Sequence, residues 1–220
     1  MRPPFNNLAG LSMMLAAVCA LLNGQPASGA SIWRGATDGL WSESTNWSTV
    51  TAPTITTGSA YITNSPSKTV LLDGSTPASN LWVSGLNVWA PPNTTNTLRL
   101  ADLGTGRALV VSNATLTVTT GGAIDITNAS LMVIGRFINF NMWGGRVTLE
   151  QGSIISREEP LTTNVTVITR IGRTNEAILT INGGSMDVSQ LLVGESPVLS
   201  FGVRGVSSGS TAAAWMCGPS

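Results

Sequence analysis

The residues best suited to chemistry are few, and three tryptophans near the amino terminus come first. Trp33, Trp41 and Trp47 lie within fifteen residues of one another. Their indole faces could stack on the flat faces of sugars, which makes them candidate carbohydrate contacts. Alternatively, they fill the open end of a folded core. The second interpretation is favoured, because large apolar side chains usually lie inside a protein.

Two arginines form the second candidate group. Arg136 and Arg173 each follow an Ile-Gly pair, and Glu195 follows a similar Val-Gly pair. A guanidinium group binds carboxylates in a planar, two-point arrangement, so an arginine stripe could contact an acidic polysaccharide. The favoured alternative is a pair of solvated corner residues that discourage edge-to-edge aggregation.

Carboxylates would be needed for a polysaccharide-cleaving enzyme, either as an acid/base pair or as calcium ligands. Asp125 and Asp187 each lie between apolar positions of different predicted strands, so we expect both to face solvent in different columns. Glu158 and Glu159 lie in a predicted solvated loop. The chain has no histidine, which excludes histidine-based acid/base catalysis and histidine zinc sites. We predict a non-enzyme with no catalytic, cofactor-binding or metal-binding residue.

The first thirty residues have the features of a secretory signal. Arg2 supplies the positive charge, residues 11–22 the apolar segment, and Ser28 and Ala30 the small residues of a cleavage site before Ser31. The apolar segment of about twelve residues is shorter than the ~18–20 needed to cross a bilayer. We therefore predict an exported protein, secreted, periplasmic or at the cell surface, with no membrane span after cleavage.

The overall charge is balanced, with 11 Lys and Arg against 11 Asp and Glu. This balance leaves no basic surface for nucleic acid. After cleavage only one cysteine, Cys217, would remain, so no disulfide can form within the chain. Stability must then come from packing and from hydrogen-bonded ladders.

An internal repeat indicates the secondary structure on which these residues lie. Each copy has two apolar alternations joined by a four-residue linker (SNAT, TNAS, EQGS or NGGS), and only Ser156 breaks the apolar rule. Alternation with period two predicts strands with one buried face, and the linkers predict corners. The copies are residues 109–118, 124–133, 147–156 and 179–188.

Matching columns favour a parallel β-solenoid, because like residues stack on like in successive coils. We predict an asparagine pair and a hydroxyl ladder on this basis. A β-sandwich, with antiparallel strands and tight hairpins, is the alternative. The stacked residues would be Asn113 with Asn128, and Thr115 with Ser130, Ser153 and Ser185.

The repeat divides the chain. Residues 31–100 form a predicted tryptophan-containing cap with irregular first coils, an Asp73-Gly74 turn and a loop over residues 90–97. Residues 101–206 form the predicted solenoid, and residues 207–220 an irregular tail. Because a solenoid normally carries a cap at each end and none is evident in this tail, we expect the chain to be part of a longer protein.

The signal, the Trp-rich entry, the run TVLLDG and the repeats of the type LTINGGSMDV…LLVG resemble bacterial exported β-helix proteins. This group includes autotransporter-passenger-like proteins with autotransporter-associated β-strand repeats. The resemblance implies a right-handed, single-stranded, pectin-lyase-like β-helix with roles in surface display, adhesion or polymer contact. Within residues 31–220 we expect neither the carboxyl-terminal translocator barrel nor the sorting helix of that group.

The sequence therefore predicts a non-enzymatic, exported structural or adhesive surface β-helix. Its predicted partner is an extracellular polysaccharide or another cell-surface component. The alternatives are a carbohydrate-binding module and the non-catalytic part of a polysaccharide-active β-helix enzyme.

Overall fold

The computed structural model describes residues 29–104, 106–134, 139–157, 168–172 and 175–194. Strands in this part form three sheets, and every strand pairing within them is parallel. Strands that follow one another along the chain lie in different sheets. The prediction of an all-β parallel solenoid is confirmed, and the β-sandwich alternative is excluded.

The three sheets are the sides of the solenoid. The seven-stranded sheet contains, in spatial order, β1 (Ser31–Ile32), β3 (Ala60–Ile62), β6 (Leu86–Val88), β9 (Leu116–Val118), β12 (Asn139–Met142), β15 (Ile168–Ile171) and β18 (Gln190–Val193). The six-stranded sheet contains β2 (Gly39–Leu40), β4 (Lys68–Leu72), β7 (Asn96–Ala101), β10 (Gly122–Thr127), β13 (Gly145–Leu149) and β16 (Ala177–Ile181). The five-stranded sheet contains β5 (Trp82–Val83), β8 (Ala108–Val111), β11 (Ala129–Ile134), β14 (Gly152–Arg157) and β17 (Ser185–Val188).

Each complete coil visits the seven-stranded, then the six-stranded, then the five-stranded sheet. Coil length varies, because Leu86 pairs with Leu116, 30 residues later, whereas Thr169 pairs with Leu191, 22 residues later. Two 3₁₀ helices, Ser44–Asn46 and Ala78–Leu81, lie in the first two coils. No helix in the described ranges is long and apolar enough to span a membrane.

The core is a set of stacked apolar columns. Val70 pairs with Leu98 and Leu98 with Ile124, and all three side chains are fully buried. Each such side chain contributes about 1.5–3 kcal/mol through burial. The columns end in half-buried residues at the last described coil, namely Leu179, Ile181, Met186 and Leu191. The inward-facing positions predicted from the alternation are therefore confirmed.

The register of the first repeat copy was predicted wrongly. Leu109 pairs with Leu131 rather than stacking on Ile124, so residues 109–118 run from the five-stranded to the seven-stranded sheet. The other three copies run from the six-stranded to the five-stranded sheet. Two different corners carry similar short linkers, so the linker alone does not identify the corner.

This shift corrects two predicted columns. Asn128 does not stack on Asn113; its amide donates to the carboxylate of Asp102 at 2.9 Å, and both residues have left-handed backbone, with φ of 49° and 50°. Asn and Asp tolerate that conformation better than other side-chain-bearing residues. Thr115 lies outside the hydroxyl ladder, whose other three members pair in register as predicted: Ser130, Ser153 and Ser185.

The other local predictions largely agree with the structure. The Asp73-Gly74 turn is present. The Asp73 carboxylate accepts hydrogen bonds from the Ser75 hydroxyl at 2.5 Å and from the Ser75 N–H at 2.9 Å. The Ser75 hydroxyl is the main reason that the pKa of Asp73 lies below its usual value. The predicted loop over residues 90–97 ends earlier, because β7 begins at Asn96.

Candidate functional site

The three amino-terminal tryptophans form one buried cluster in the first coil. Trp33, Trp41 and Trp47 are 1%, 0% and 1% exposed. Trp47 contacts Trp33 edge-on with ring centroids 5.1 Å apart, and it contacts Trp41 in the same way at 4.8 Å. Because no indole face is open to solvent, these rings cannot stack on a sugar. Their placement agrees with the alternative interpretation, in which they fill the end of the core.

Hydrogen bonds and glycines hold this cluster in place. The indole N–H of Trp41 donates to the backbone oxygen of Asn80 at 2.9 Å, and that of Trp47 donates to the backbone oxygen of Trp41 at 2.7 Å. A Cβ atom at Gly35 would lie 2.8 Å from the Trp33 indole nitrogen, and one at Gly39 would lie 3.2 Å from the Trp33 ring. The Gly-Ala-Thr-Asp-Gly run therefore lets the backbone pass close to Trp33.

Arg136, Arg173 and Glu195, the predicted corner residues, lie outside the described residues. The apolar residues before their glycines do not occupy one column, however. Ile134 ends β11 in the five-stranded sheet, whereas Ile171 ends β15 in the seven-stranded sheet. The two Ile residues of the Ile-Gly pairs therefore lie on different sides of the solenoid.

The two strand carboxylates face outward, as predicted. Asp125 forms an ion pair with Arg146 at 3.5 Å on the six-stranded sheet, and Asp187 pairs with Arg157 at 3.4 Å on the five-stranded sheet. Glu158 and Glu159 lie outside the described residues. Within the described part of the chain, no three His, Cys, Asp or Glu residues come together in a group that could hold a metal ion.

Lys68 is a buried amine. It is 3% exposed, and its Nζ donates to the backbone oxygen of Asn64 at 2.7 Å and to the Asn64 side-chain oxygen at 2.9 Å. Burial lowers the pKa of Lys68. The amide of Asn96, which pairs with Lys68, donates to the same Asn64 backbone oxygen at 2.9 Å and to the backbone oxygen of Trp89 at 2.8 Å. These hydrogen bonds stabilise the corner between the seven- and six-stranded sheets.

Two tryptophans that the sequence analysis did not single out are exposed. Trp82 is 46% exposed and Trp89 is 41% exposed. Trp82 lies on β5 between Leu81 and Val83, whose side chains are buried. The alternation in Leu-Trp-Val was therefore a signal that this indole faces outward.

Trp82 begins an apolar row on the outer surface of the five-stranded sheet. Trp82 pairs with Val110, Val110 with Met132, Met132 with Ile155, and Ile155 with Asp187. Val110 is only 3% exposed, whereas Met132 and Ile155 are half-buried. The row therefore presents one wide exposed ring at its amino-terminal end, then the buried Val110, and then the half-buried Met132 and Ile155.

A parallel row of small residues lies two residues earlier on the same strands. Ala108 pairs with Ser130, Ser130 with Ser153, and Ser153 with Ser185. The hydroxyl of Ser153 donates to that of Ser130 at 2.9 Å. We call the two rows together the Trp82 face: the apolar row of Trp82, Val110, Met132 and Ile155, and the hydroxyl row of Ser130, Ser153 and Ser185.

A shallow depression of about 600 Å³ lies on the outer surface of the six-stranded sheet. Asp38, Gly39, Leu40, Thr69, Leu71 and Arg99 line it. The Asp38 carboxylate accepts the Thr69 N–H at 2.5 Å, so this acidic group is engaged in holding its own coil. The depression thus offers one exposed cation, Arg99, beside leucine side chains.

The comparisons with known proteins give no relative from which a site could be transferred. No family model, curated protein or solved structure matches the chain.

Proposed function

We propose that this protein is a non-enzymatic, exported β-solenoid with an adhesive or structural surface role, and that the Trp82 face is its contact surface. The observation that carries the proposal is the exposed indole of Trp82, set in register with an apolar row on a regular sheet. Exposed apolar patches mark interaction sites, and tryptophan is enriched among the residues that contribute most to binding.

The strands that carry the Trp82 face are packed against the core, which makes the face a rigid contact surface. Leu109 and Leu131, which flank the outward row in sequence, are fully buried in the core. Contact residues held by a packed scaffold lose little conformational freedom when they bind, which favours affinity. The face therefore needs no rearrangement to receive a partner.

A non-enzymatic role is supported by the engagement of the strand carboxylates and by the sequence. Asp125 and Asp187 lie on different sheets, and each is paired with an arginine. The chain has no histidine. The exported location rests on the leader features of residues 1–30.

Adhesion of coated beads tests this proposal. Beads carrying the full chain are counted on surfaces coated with cell-wall polysaccharides, secreted glycans or matrix proteins, and each soluble polymer is sized before and after incubation. We expect retention on at least one polymer without shortening, loss of retention in Trp82→Ala, and normal retention in Trp89→Ala. Shortening of a polymer with turnover, or full retention of Trp82→Ala beads, would overturn the proposal.

A further inference from the structure

We infer that the Trp82 face binds a neutral polysaccharide whose chain runs across the strands, along the solenoid axis. This inference rests on the proposed function and names the partner of the same surface. Its elements are an exposed ring, a row of hydroxyl groups and the absence of unpaired charge among the described residues of the face.

The ring provides the stacking surface. Trp82 lies on β5, which pairs with β8, and its side chain is 46% exposed on the outer surface of the sheet. An indole combines a wide apolar face with a polar N–H. The apolar C–H face of a pyranose matches such a ring, whereas the buried rings of Trp33, Trp41 and Trp47 offer no face to solvent.

The hydroxyl row provides hydrogen bonds at a fixed repeat. Ser130, Ser153 and Ser185 stand on three successive coils. Neighbouring strands in a sheet are about 4.8 Å apart, so donors and acceptors recur at that distance along the axis. A hydroxyl group both donates and accepts, which suits the hydroxyl groups of a repeating sugar chain.

The charges on this sheet favour a neutral ligand. At the far end of the apolar row, Asp187 pairs with Arg157 at 3.4 Å. The three serines and the four apolar residues of the Trp82 face carry no charge. An acidic polysaccharide would need exposed cations for its carboxylates. On this sheet the half-exposed Arg157 is engaged by Asp187, and the exposed Arg99 lies on the six-stranded sheet.

A second copy of the chain would use the same surface differently. Self-association needs a broad apolar patch that can be buried on both partners. Val110, the second residue of the apolar row, is only 3% exposed and so adds little apolar surface for a partner to bury. The adjoining row consists of hydroxyl groups. The face therefore fits a narrow, hydroxyl-rich polymer better than a copy of itself.

The test is electrophoresis of the full chain in native gels that contain one polysaccharide each. The neutral probes are a mixed-linkage β-glucan, a xylan, a galactomannan and starch, and polygalacturonate is the acidic probe. We expect at least one neutral probe to retard the wild type, and Trp82→Ala to weaken this binding about tenfold or more. Trp82→Tyr, which keeps an aromatic ring, should retain most of the binding. Trp89→Ala, which removes a similarly exposed ring outside the Trp82 face, should bind like the wild type.

Three results would overturn the inference. They are no retardation by any neutral probe, equal retardation of Trp82→Ala and the wild type, and retardation by polygalacturonate alone. Retention on a protein or acidic polymer that depends on Trp82 in the bead assay would leave the proposed function standing and remove only the neutral glycan. A dimer in sedimentation velocity that Trp82→Ala abolishes, without glycan binding, would identify a second copy as the occupant.

Discussion

Thr169 and Ser156 form a hydrogen bond inside the core, with the Thr169 hydroxyl donating to the Ser156 hydroxyl at 2.9 Å. Both residues are fully buried, and they lie on adjacent strands along the chain, β15 and β14, in different sheets. Ser156 is the residue that breaks the apolar rule of the repeat. Its polar side chain is accommodated because a second polar side chain occupies the inward row of the next sheet.

This pair predicts strong coupling between two substitutions. Ser156→Ala and Thr169→Val each leave one buried hydroxyl without its partner, so each should lower the free energy of unfolding by about 1–3 kcal/mol. The double variant should lose clearly less than the sum of the two single losses. Urea denaturation of the four proteins measures the coupling. Thr148→Val, a change at an outward position of β13, is the control and should stay within about 0.5 kcal/mol of the wild type. Additive losses would show that the two hydroxyls act independently.

Gly152 predicts a large steric effect at the corner before β14. Its φ is +115°, and a Cβ atom there would lie 1.8 Å from the backbone oxygen of Ala129. Gly152→Ala must therefore displace the neighbouring coil, and we expect a marked loss of folded protein. Gly106 has φ of +74° but nothing within 4 Å of its Cβ position. Gly106→Ala should cost only the backbone strain of about 1–2 kcal/mol. Thermal unfolding compares the two variants, and equal losses would contradict the role of the close contact.

The coil architecture was readable from the sequence because its physical cause is local. Alternation places Ile124 and Ile126 on one face whatever the rest of the chain does, and the core columns follow from stacking such pairs. The register of residues 109–118 was not readable in the same way. A linker of four small and polar residues turns the chain at either of two corners, and only the strand pairing of Leu109 with Leu131 distinguishes them.

The site was less predictable, since exposure depends on what lies next to a side chain in space. Three clustered tryptophans stand out in the sequence, yet glycines bring the backbone over Trp33 and bury it. Nothing in the sequence marks Trp82 as a contact residue, because it lies between two other apolar residues, Leu81 and Val83. Its outward direction follows from alternation, but its partners on the outer row come from coils that are remote in sequence.

From the burial of the Lys68 amine we predict that the free energy of unfolding depends on pH in the alkaline range. Burial lowers its pKa in the folded protein below its usual value of 10.5. Between the lowered pKa and 10.5 the unfolded chain binds more protons, so stability should rise with pH across this window. Lys68→Met should abolish that rise, which is measured as the difference in unfolding midpoint between variant and wild type from about pH 7 to 11. Arg99→Met, which removes an exposed cation, should retain it. A constant difference between Lys68→Met and the wild type would show that burial does not disfavour the charged amine.

From the burial of Trp47 we predict that the tryptophan cluster stabilises the amino-terminal end of the solenoid. Its ring lies between those of Trp33 and Trp41 and is 1% exposed, so Trp47→Ala removes a large core side chain and leaves a cavity. We expect a loss of about 3–5 kcal/mol in the free energy of unfolding. Trp89→Ala, which removes a 41% exposed ring, should cost far less. Acrylamide quenching adds a second measurement, because Trp47→Phe removes an inaccessible ring and should raise the quenchable fraction of the fluorescence, whereas Trp82→Phe removes an accessible ring and should lower it. A Trp47→Ala variant as stable as Trp89→Ala would mean that the first coil contributes little to the fold.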